Sequence, residues 1–217
     1  MKHLIIVGAG GFGREMYGAA LGAVGHGTEF DVRGFLDERA DALDGFGGYP
    51  PVVGAPSSYV PRDDEVFVAA LGNVAARRRC VEALAQRGAR FVAVVHATAV
   101  LGPNVTVGDG AFIAPHASLT ADVAVGRHAS VFHSSSIGHD STLGDFSHVY
   151  AQCSVGGGVR IGEGAVVYPG SVIVPRRRIG AGAVVGAGST VFVDVEPGVT
   201  VLGSPAAPLD VPRREGL

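Results

Sequence analysis

The sequence predicts a small α/β domain followed by a parallel β-helix built from six-residue repeats. From Val95 to Val191 a branched aliphatic residue occupies every sixth position without a break. Nearer the start of the chain, an apolar segment runs into a glycine-rich turn. The pattern changes near residue 90, so the 217 residues divide into a domain at 1–92 and a domain at 93–217 that includes a C-terminal tail.

The first element is a strand that leads through glycines into a helix. Residues His3–Val7 read as a buried strand and Arg14–Leu21 as a helix. Between them, Gly8-Ala9-Gly10-Gly11-Phe12-Gly13 matches G-x-G-x-x-G. Such a turn favours a phosphate, because backbone N–H groups and the helix dipole point at it. The alternative is that these glycines serve only to pack the helix on the strand.

The rest of the first domain continues the alternation of strands and helices. The expected elements are strands at Asp31–Leu36, Glu65–Leu71 and Phe91–Val95 and a helix at Val74–Gln86. Asp37 and Glu38 follow the first of these strands, where Rossmann-like folds place a carboxylate against a ribose or base. Only about 90 residues precede the repeats, roughly half of a dinucleotide-binding fold, so one nucleotide fits better than a nicotinamide or flavin dinucleotide.

The second domain is predicted from the period of six. One hexapeptide forms one short side of a triangular prism, three make a coil, and residues eighteen apart stack. The aliphatic residue points inward, and the small residue that usually stands four places later fits a tight corner. Gly often follows the aliphatic residue directly, where we expect it to supply backbone freedom at the bend. A helix would repeat apolar residues every three or four positions and an ordinary strand every two.

Composition excludes several classes of function. A net charge of −3 without a basic excess argues against broad nucleic-acid binding. The one basic cluster, Arg176-Arg177-Arg178, is either a solvated corner of the prism or a site for ligand phosphates. Cys80 and Cys153 indicate neither a disulfide framework nor a metal site. No apolar run approaches the ~18 residues that cross a bilayer, and the apolar start is too short for a signal peptide, so we expect a cytoplasmic protein without a membrane partner.

Histidines are the candidates for catalysis. Five lie in the repeats and none is at an inward position, so we expect each at a corner or outer face that a ligand can reach: His116, His128, His133, His139 and His148. His139 precedes Asp140, and an imidazole beside a carboxylate is what a general base needs. Since neighbouring side chains on a strand point apart, this contact requires a bend. Gly157, eighteen residues after His139, should stack on the imidazole and offer its N–H to a developing oxyanion.

The remaining histidines carry weaker hypotheses. His148 is a candidate contact for an acyl donor, with a plain surface histidine as the alternative. No three histidines stack at the spacing of eighteen, so we expect no metal site.

Together these motifs resemble the bacterial hexapeptide-repeat sugar acyltransferases, which join a small Rossmann-like N-terminal domain to a left-handed parallel β-helix. That family includes sialic acid O-acetyltransferases and nucleotide-aminosugar N-acetyltransferases of the UDP-bacillosamine and GDP-perosamine type. The resemblance covers nearly the whole chain. Besides the glycine turn, it rests on Phe35-Leu36-Asp37-Glu38, Leu71-Gly72-Asn73 with Arg77, Ile137-Gly138-His139-Asp140, Leu143-Gly144-Asp145-Phe146-Ser147-His148 and Gly203-Ser204-Pro205-Ala206. Such proteins are trimers that bind acetyl-CoA in the cleft between adjacent prisms.

The resemblance implies a role for each motif. His139 would be the catalytic base, Asp140 its orienting acid, and the Gly157 N–H a donor to the thioester oxygen. The residues expected to face the nucleotide diphosphate are Gly8, Gly10, Gly11 and Gly13, and those expected at the base or ribose are Asp37 and Glu38. The residues expected to contact coenzyme A are His148, Gly157, Gly203, Ser204, Pro205 and Ala206.

The functional hypothesis is therefore a homotrimeric, acetyl-CoA-dependent N-acetyltransferase that acts on the amino group of a nucleotide-linked aminosugar. Two alternatives stay open: an O-acetyltransferase that acts on a sugar hydroxyl, as on sialic acid, and a non-catalytic trimeric scaffold that binds a nucleotide. The pair His139-Asp140 beside a glycine-lined space argues against the scaffold.

Overall fold

A computed structural model describes residues 1–209, which divide into two compact units, one at 1–97 and one from Thr98 onward. This confirms an N-terminal α/β domain followed by a parallel β-helix. Within the described residues, none of the helices has the length and apolar character that a membrane span requires.

The first unit contains a four-stranded parallel sheet and two helices. Its elements are β1 (Lys2–Val7), α1 (Gly11–Leu21), β2 (Phe30–Leu36), β3 (Val52–Gly54), β4 (Glu65–Ala69) and α2 (Val74–Gln86). The strands lie in the order β3-β2-β1-β4. Leu4 to Val7 of β1 are completely buried, as the continuous apolar run of an interior parallel strand predicts.

Three details of this unit differ from the sequence expectations. The strand expected at Phe91–Val95 is reduced to a single bridge between Phe91 and Phe67 and to the two residues Val94–Val95. Strand β3 was not expected, since it is only three residues long and directly follows Pro50-Pro51. Helix α1 begins at Gly11 rather than at Arg14, so part of the glycine turn belongs to the helix itself.

From residue 94 onward the strands are short, and from β5 to β21 they follow one another every six residues. They are β5 (Val94–Val95), β6 (Val100–Leu101), β7 (Thr106–Val107), β8 (Phe112–Ile113), β9 (Ser118–Leu119), β10 (Ala124–Val125), β11 (Ser130–Val131), β12 (Ser136–Ile137), β13 (Thr142–Leu143), β14 (His148–Val149), β15 (Ser154–Val155), β16 (Arg160–Ile161), β17 (Val166–Val167), β18 (Val172–Ile173), β19 (Arg178–Ile179), β20 (Val184–Val185), β21 (Thr190–Val191), β22 (Thr200–Leu202) and β23 (Ala207–Pro208).

These strands form the three faces of a prism. Face 1 consists of β7, β10, β13, β16 and β19, and face 2 consists of β6, β9, β12, β15, β18 and β21. Face 3 contains β8, β11, β14, β17, β20 and β22, with β23 antiparallel at its end. Partners from β6 to β21 are eighteen residues apart, as in the pair Ala124 and Thr142, so the predicted register is confirmed there. At the end of face 3, Val184 of β20 instead pairs with Thr200 of β22.

The prism interior is filled as the repeat predicts. Every inward aliphatic residue from Ile113 to Val191 is buried, whereas Leu101 is 40% exposed in the first coil. The small residues at the corners, such as Ser141 and Ala165, are buried as well. Stacked aliphatic rungs therefore hold the coils together and leave the outer faces free for other tasks.

The glycines that follow the aliphatic residues do not supply the bend that we expected of them. The left-handed φ falls two residues later, for example at His128, Asp140 and Phe146. The glycines are needed because the next coil passes close by. A Cβ at Gly144 would lie 2.6 Å from the backbone nitrogen of the next coil, and one at Gly162 would lie 2.5 Å from it.

Candidate active site

His139 and Asp140 lie together at the corner between face 2 and face 1. Asp140 has a φ of 59°, and this left-handed turn brings its carboxylate to the imidazole, with 2.6 Å between His139 Nδ1 and Asp140 Oδ2. The bend that the sequence requires here is therefore present. Both side chains are about two-thirds exposed, at 69% and 67%. With the Nδ1 proton donated to the carboxylate, Nε2 carries the lone pair and can accept a proton.

Gly157 stacks on the imidazole, as the spacing of eighteen predicts. A Cβ at this position would lie 2.6 Å from His139 Nε2, so no side chain larger than hydrogen fits above the ring in this arrangement. The Gly158 N–H donates to the His139 carbonyl oxygen at 2.7 Å, and the Arg176 N–H donates to the Gly157 carbonyl oxygen at 2.9 Å. No acceptor for the Gly157 N–H occurs in the described part of the chain. The basic Nε2 of His139 and the Gly157 N–H, which has no acceptor in the described residues, thus lie within one coil of each other.

His148 is not accessible, so the expectation that a ligand reaches it is wrong. Its side chain is fully buried and packs on Tyr150 and Phe132, with ring centroids 5.5 and 6.0 Å apart. The period of six correctly excludes it from the prism interior but gives no information about what covers the outer side of face 3. His128 is buried in the same way, stacked on Phe146 at 4.8 Å.

The segment from Gly203 to Ala206, the other expected contact with coenzyme A, forms the turn between β22 and β23. The Thr190 N–H donates to the Gly203 carbonyl oxygen at 2.9 Å, and the Ala206 N–H donates to the Thr190 carbonyl oxygen at 2.8 Å. Thr190 lies on face 2, three coils or roughly 14 Å beyond Ser136 of the His139 coil. Gly203, Ser204 and Pro205 are exposed there.

The first unit contains a cavity of about 400 Å³ at the carboxyl ends of its strands. This is where parallel α/β sheets bind ligands. Its walls come from the glycine turn, the end of β2, a loop after β3 and one side of α2. The lining residues are Gly8, Leu36, Asp37, Glu38, Pro56, Ser57, Leu71, Ala76, Arg79, Cys80 and Ala83.

The two expected carboxylates line this cavity and also shape it. Asp37 Oδ2 accepts from the Ala9 N–H at 2.9 Å, which ties the carboxylate to the glycine turn. Glu38 accepts from both the N–H and the hydroxyl of Ser57, at 2.9 and 2.8 Å. Each carboxylate oxygen has two lone pairs, so both groups keep acceptor capacity for a ligand hydroxyl or N–H.

The four glycines of the turn have two different reasons to be glycine. Gly8 has a φ of 104°, and a Cβ at Gly13 would overlap the Gly8 carbonyl oxygen, so both are needed for backbone geometry and packing. Nothing lies within 4 Å of a Cβ at Gly10 or Gly11. Backbone geometry and packing therefore explain Gly8 and Gly13 but not Gly10 and Gly11. Gly10 is the N-cap of α1 and offers no side-chain cap, which leaves the helix end open to an anion.

Sequence reasoning missed Arg79 and Cys80, which lie on the cavity side of α2. Helical periodicity could have placed them on one surface of the helix, but nothing in the sequence indicated that this surface faces Asp37. Burial, with a smaller contribution from the Glu38 charge, raises the pKa of the Cys80 thiol. The thiol is therefore protonated near neutral pH and lines the cavity as a weakly polar group.

His116 and His133 are exposed, and no group of three or more His, Cys, Asp or Glu side chains among residues 1–209 has a geometry that could hold an ion.

Two family models match separate parts of the chain. Residues 3–84 match the PglD N-terminal domain, and residues 134–168 and 158–192 match the six-repeat hexapeptide model of bacterial transferases. No curated protein sequence matches the chain. The first model matches residues in the α/β unit and the second matches residues in the prism, so each unit matches a family model of its own.

Solved structures resemble the chain over almost its entire length. The acetyltransferase domain of PglB from Neisseria gonorrhoeae is 27% identical with a TM-score of 0.86, covering 96% of this chain and 100% of that chain. The same domain in complex with acetyl coenzyme A is 28% identical with a TM-score of 0.85, covering 96% and 99%. A variant of perosamine N-acetyltransferase from Caulobacter crescentus, solved with CoA and GDP-perosamine, is 25% identical with a TM-score of 0.85, covering 97% and 98%.

Proposed function

Because the chain is an acetyltransferase of the hexapeptide-repeat sugar acyltransferases, we propose that it transfers the acetyl group of acetyl-CoA to the amino group of a nucleotide-linked aminosugar. The corner formed by His139, Asp140 and Gly157 carries the proposal. It combines an oriented base with an open backbone N–H in a space that no side chain fills. Acyl transfer to an amine needs these two elements.

In the proposed reaction the sugar amine attacks the thioester carbonyl carbon. His139 Nε2 takes a proton from the attacking nitrogen, while Asp140 holds the imidazole through Nδ1 and stabilises the imidazolium. The Gly157 N–H donates to the oxygen of the tetrahedral intermediate. When the intermediate collapses, the carbon–sulfur bond breaks and the proton on His139 passes to the leaving sulfur, so the products are the N-acetyl sugar and free coenzyme A.

The nucleotide of the acceptor is assigned to the cavity of the α/β unit. Its 400 Å³ suits one base with its ribose, and apolar walls from Leu36, Pro56 and Leu71 suit the face of a base. Asp37 and Glu38 provide acceptors for ribose hydroxyls or base N–H groups, and the open N-terminus of α1 supports the diphosphate.

The related structures support an amine as the acceptor. Perosamine N-acetyltransferase was solved with an aminosugar nucleotide and CoA, and the PglB acetyltransferase domain with acetyl coenzyme A. Both align with more than nine-tenths of this chain. We therefore assign the amino group, rather than a hydroxyl, as the nucleophile.

A substrate panel tests this function. Purified protein is mixed with acetyl-CoA and, separately, with UDP-, GDP- and dTDP-linked aminosugars, and free thiol and product mass are recorded. We expect thiol release and a gain of one acetyl group with at least one aminosugar nucleotide, and none with the matching sugar in which a hydroxyl replaces the amine. Transfer to the hydroxyl sugars alone would show that the enzyme is an O-acetyltransferase.

A further inference from the structure

Arg14, in the first turn of α1, has an aromatic partner instead of a carboxylate. Its Cζ lies over the ring of Phe46, 3.7 Å from the ring centroid. Within residues 1–209, no Asp or Glu side chain forms an ion pair with Arg14. An aromatic ring attracts a cation through its face and does not use up the five N–H donors of the guanidinium. Arg14 therefore keeps its donors for a ligand.

The connection between β2 and β3 carries Phe46 and runs along the start of α1. Three contacts join the two segments, in the same order along both. Asp37 Oδ2 accepts from the Ala9 N–H at 2.9 Å, Phe46 lies against Arg14, and Tyr49 packs on Tyr17 with ring centroids 5.5 Å apart. Because Phe46 stands between two anchored residues of the connection, its position beside the glycine turn is fixed from both sides.

Phe46 serves the guanidinium of Arg14 rather than the apolar core. Its side chain is 48% exposed, and its N–H donates to the Leu43 carbonyl oxygen at 3.0 Å. A Cβ built at Gly45 or Gly47 on either side of it would meet nothing within 4 Å, so this part of the connection is loosely packed. Within the described residues, Arg14 is the one charged or aromatic side chain that the ring contacts.

Arg14 also stands beside the open part of the glycine turn. Nothing lies within 4 Å of a Cβ at Gly10 or Gly11, and Gly11 is three residues, or about 4.5 Å of helix rise, before Arg14. Side chains of an α-helix lean toward its N-terminus, so the long side chain of Arg14 extends back toward this space. The guanidinium and the backbone of the turn are therefore placed to act on the same ligand group.

We propose that Arg14, held in place by Phe46, binds the diphosphate of the sugar nucleotide and so fixes the acceptor at the glycine turn. This inference rests on the proposed function, in which base and ribose occupy the cavity lined by Gly8 and Asp37. A diphosphate attached to that ribose continues along the turn from Gly8 toward Gly11. A guanidinium binds phosphate oxygens through paired N–H donors, whereas the ammonium group of a lysine acts as a point charge.

Phe46 is a positioning residue in this proposal. An arginine side chain loses rotamer freedom when it binds a ligand, and a ring that already holds the guanidinium reduces that cost. The affinity for the diphosphate should therefore depend on the ring, although the ring itself does not touch the phosphates.

Calorimetric titration without acetyl-CoA tests the proposal. UDP, GDP and dTDP and the nucleosides uridine, guanosine and thymidine are titrated into the wild type and into Arg14→Gln. The diphosphate that binds the wild type most tightly should bind Arg14→Gln about 10- to 100-fold more weakly, the cost of losing hydrogen bonds to a charged group. The corresponding nucleoside should bind both proteins equally, because it lacks the phosphates.

Further variants separate the charge, the planar fork and the ring. Arg14→Lys keeps the charge but loses the fork, so it should stay at least about threefold weaker than wild type for the diphosphate. Phe46→Leu removes the ring face and should weaken the diphosphate about threefold, whereas Phe46→Tyr keeps the ring and should restore wild-type affinity. Arg33→Gln, at an exposed arginine of β2, is the matched control and should leave diphosphate affinity unchanged.

The outcomes that overturn the inference differ from those that overturn the function. If Arg14→Gln binds the diphosphate as tightly as wild type, or loses the same factor for the nucleoside, Arg14 is not the phosphate ligand and the proposed function stands. Wild-type diphosphate affinity in Phe46→Leu would remove Phe46 from the site. If the wild type binds none of the three diphosphates, the nucleotide assignment in the proposed function is wrong and the inference falls with it.

Discussion

At the corner of His139, the proposed reaction depends on the absence of a side chain at Gly157 as well as on the imidazole. In Gly157→Ala the new methyl group would lie 2.6 Å from His139 Nε2, so the ring must move. Since a shift of about 1 Å in a catalytic group can cost on the order of 100-fold in rate, we expect kcat to fall by roughly 10- to 100-fold. The measurement is steady-state thiol release with saturating substrates.

The control for this variant is Gly188→Asn, at another corner of the prism. Its φ is 67°, which asparagine tolerates, and nothing lies within 4 Å of a Cβ there. It should keep wild-type turnover. Full activity in Gly157→Ala would show that the imidazole of His139 does not react from its position beneath Gly157.

Asp37 is the residue that should reveal the nucleotide site. Asp37→Ala removes an acceptor from the cavity and frees the Ala9 N–H of the glycine turn, so it should weaken the ground-state binding of the sugar nucleotide. We expect the KM for that substrate to rise about 10-fold, as for a lost hydrogen bond to a charged group, while the KM for acetyl-CoA stays nearly unchanged.

Asp41→Ala is the matched control for Asp37→Ala, because Asp41 is an exposed carboxylate outside the cavity lining. It should affect neither KM. Equal increases of both KM values in Asp37→Ala, together with a lowered Tm, would indicate damage to the fold instead of a lost substrate contact.

At the scale of elements, the coils are joined at their corners by charged pairs as well as by backbone hydrogen bonds. Asp145 accepts from the Arg127 N–H at 2.8 Å and from its guanidinium at 2.7 and 2.9 Å. Partial burial alone would raise the pKa of the Asp145 carboxyl, but the hydrogen bonds and charge of Arg127 outweigh it, so the pKa is lowered. A lowered folded-state pKa means that the pair stabilises the fold above the unfolded pKa of about 3.9 and loses this effect as pH falls through the folded value.

Asp145→Asn should therefore have a lower Tm than wild type at pH 7, by about 1 to 3 °C for a pair near the surface. The gap should begin to narrow below about pH 4, where the unfolded chain takes up the proton, and should close once the pH falls below the lowered folded-state pKa of Asp145. Thermal melts of both proteins between pH 3 and 7 provide the comparison, with Asp44→Asn, at an exposed carboxylate of the α/β unit, as the surface control. A gap that stays constant over this range would rule out a charge-dependent role for the pair.

The elements differ in how well the sequence predicts them. The period of six predicted every strand from β6 to β21, because an inward residue at each sixth position leaves only one register. It predicted the stacking of Gly157 on His139 for the same reason. It could not predict the burial of His148, because a period separates inward from outward positions without showing what lies against the outer face. Strand β3 was not predicted because three residues beside two prolines are too few to show the alternation of apolar and polar residues that identifies a strand.

At the scale of the whole molecule, exposed apolar residues on the prism point to association. Tyr168 on face 3 is 43% exposed, and Val172 and Phe192 on face 2 and at its edge are 39% and 53% exposed. Repeat architectures bury such surfaces against other copies. We expect a trimer, so light scattering at micromolar concentration should give about three times the 22.0 kDa of one chain.

Phe192→Glu tests that assembly at a position away from the corner formed by His139, Asp140 and Gly157. A charge at this exposed position should favour smaller species if the surface is buried in the trimer, whereas Glu163→Gln, at a different corner, should not. A wild-type mass near that of one chain would contradict the predicted trimer.

The proposed role of His139 as the base for acetyl transfer is tested by comparing wild type with His139→Ala and His139→Asn in single-turnover acetylation of the aminosugar nucleotide identified by the substrate panel. We predict a loss of about 10²- to 10⁴-fold in the rate, the range typical for removal of a general base. Coenzyme A binding and assembly should persist, because the His139 side chain is exposed and takes no part in the aliphatic rungs of the prism. Near-wild-type rates in both variants would show that His139 is not the base.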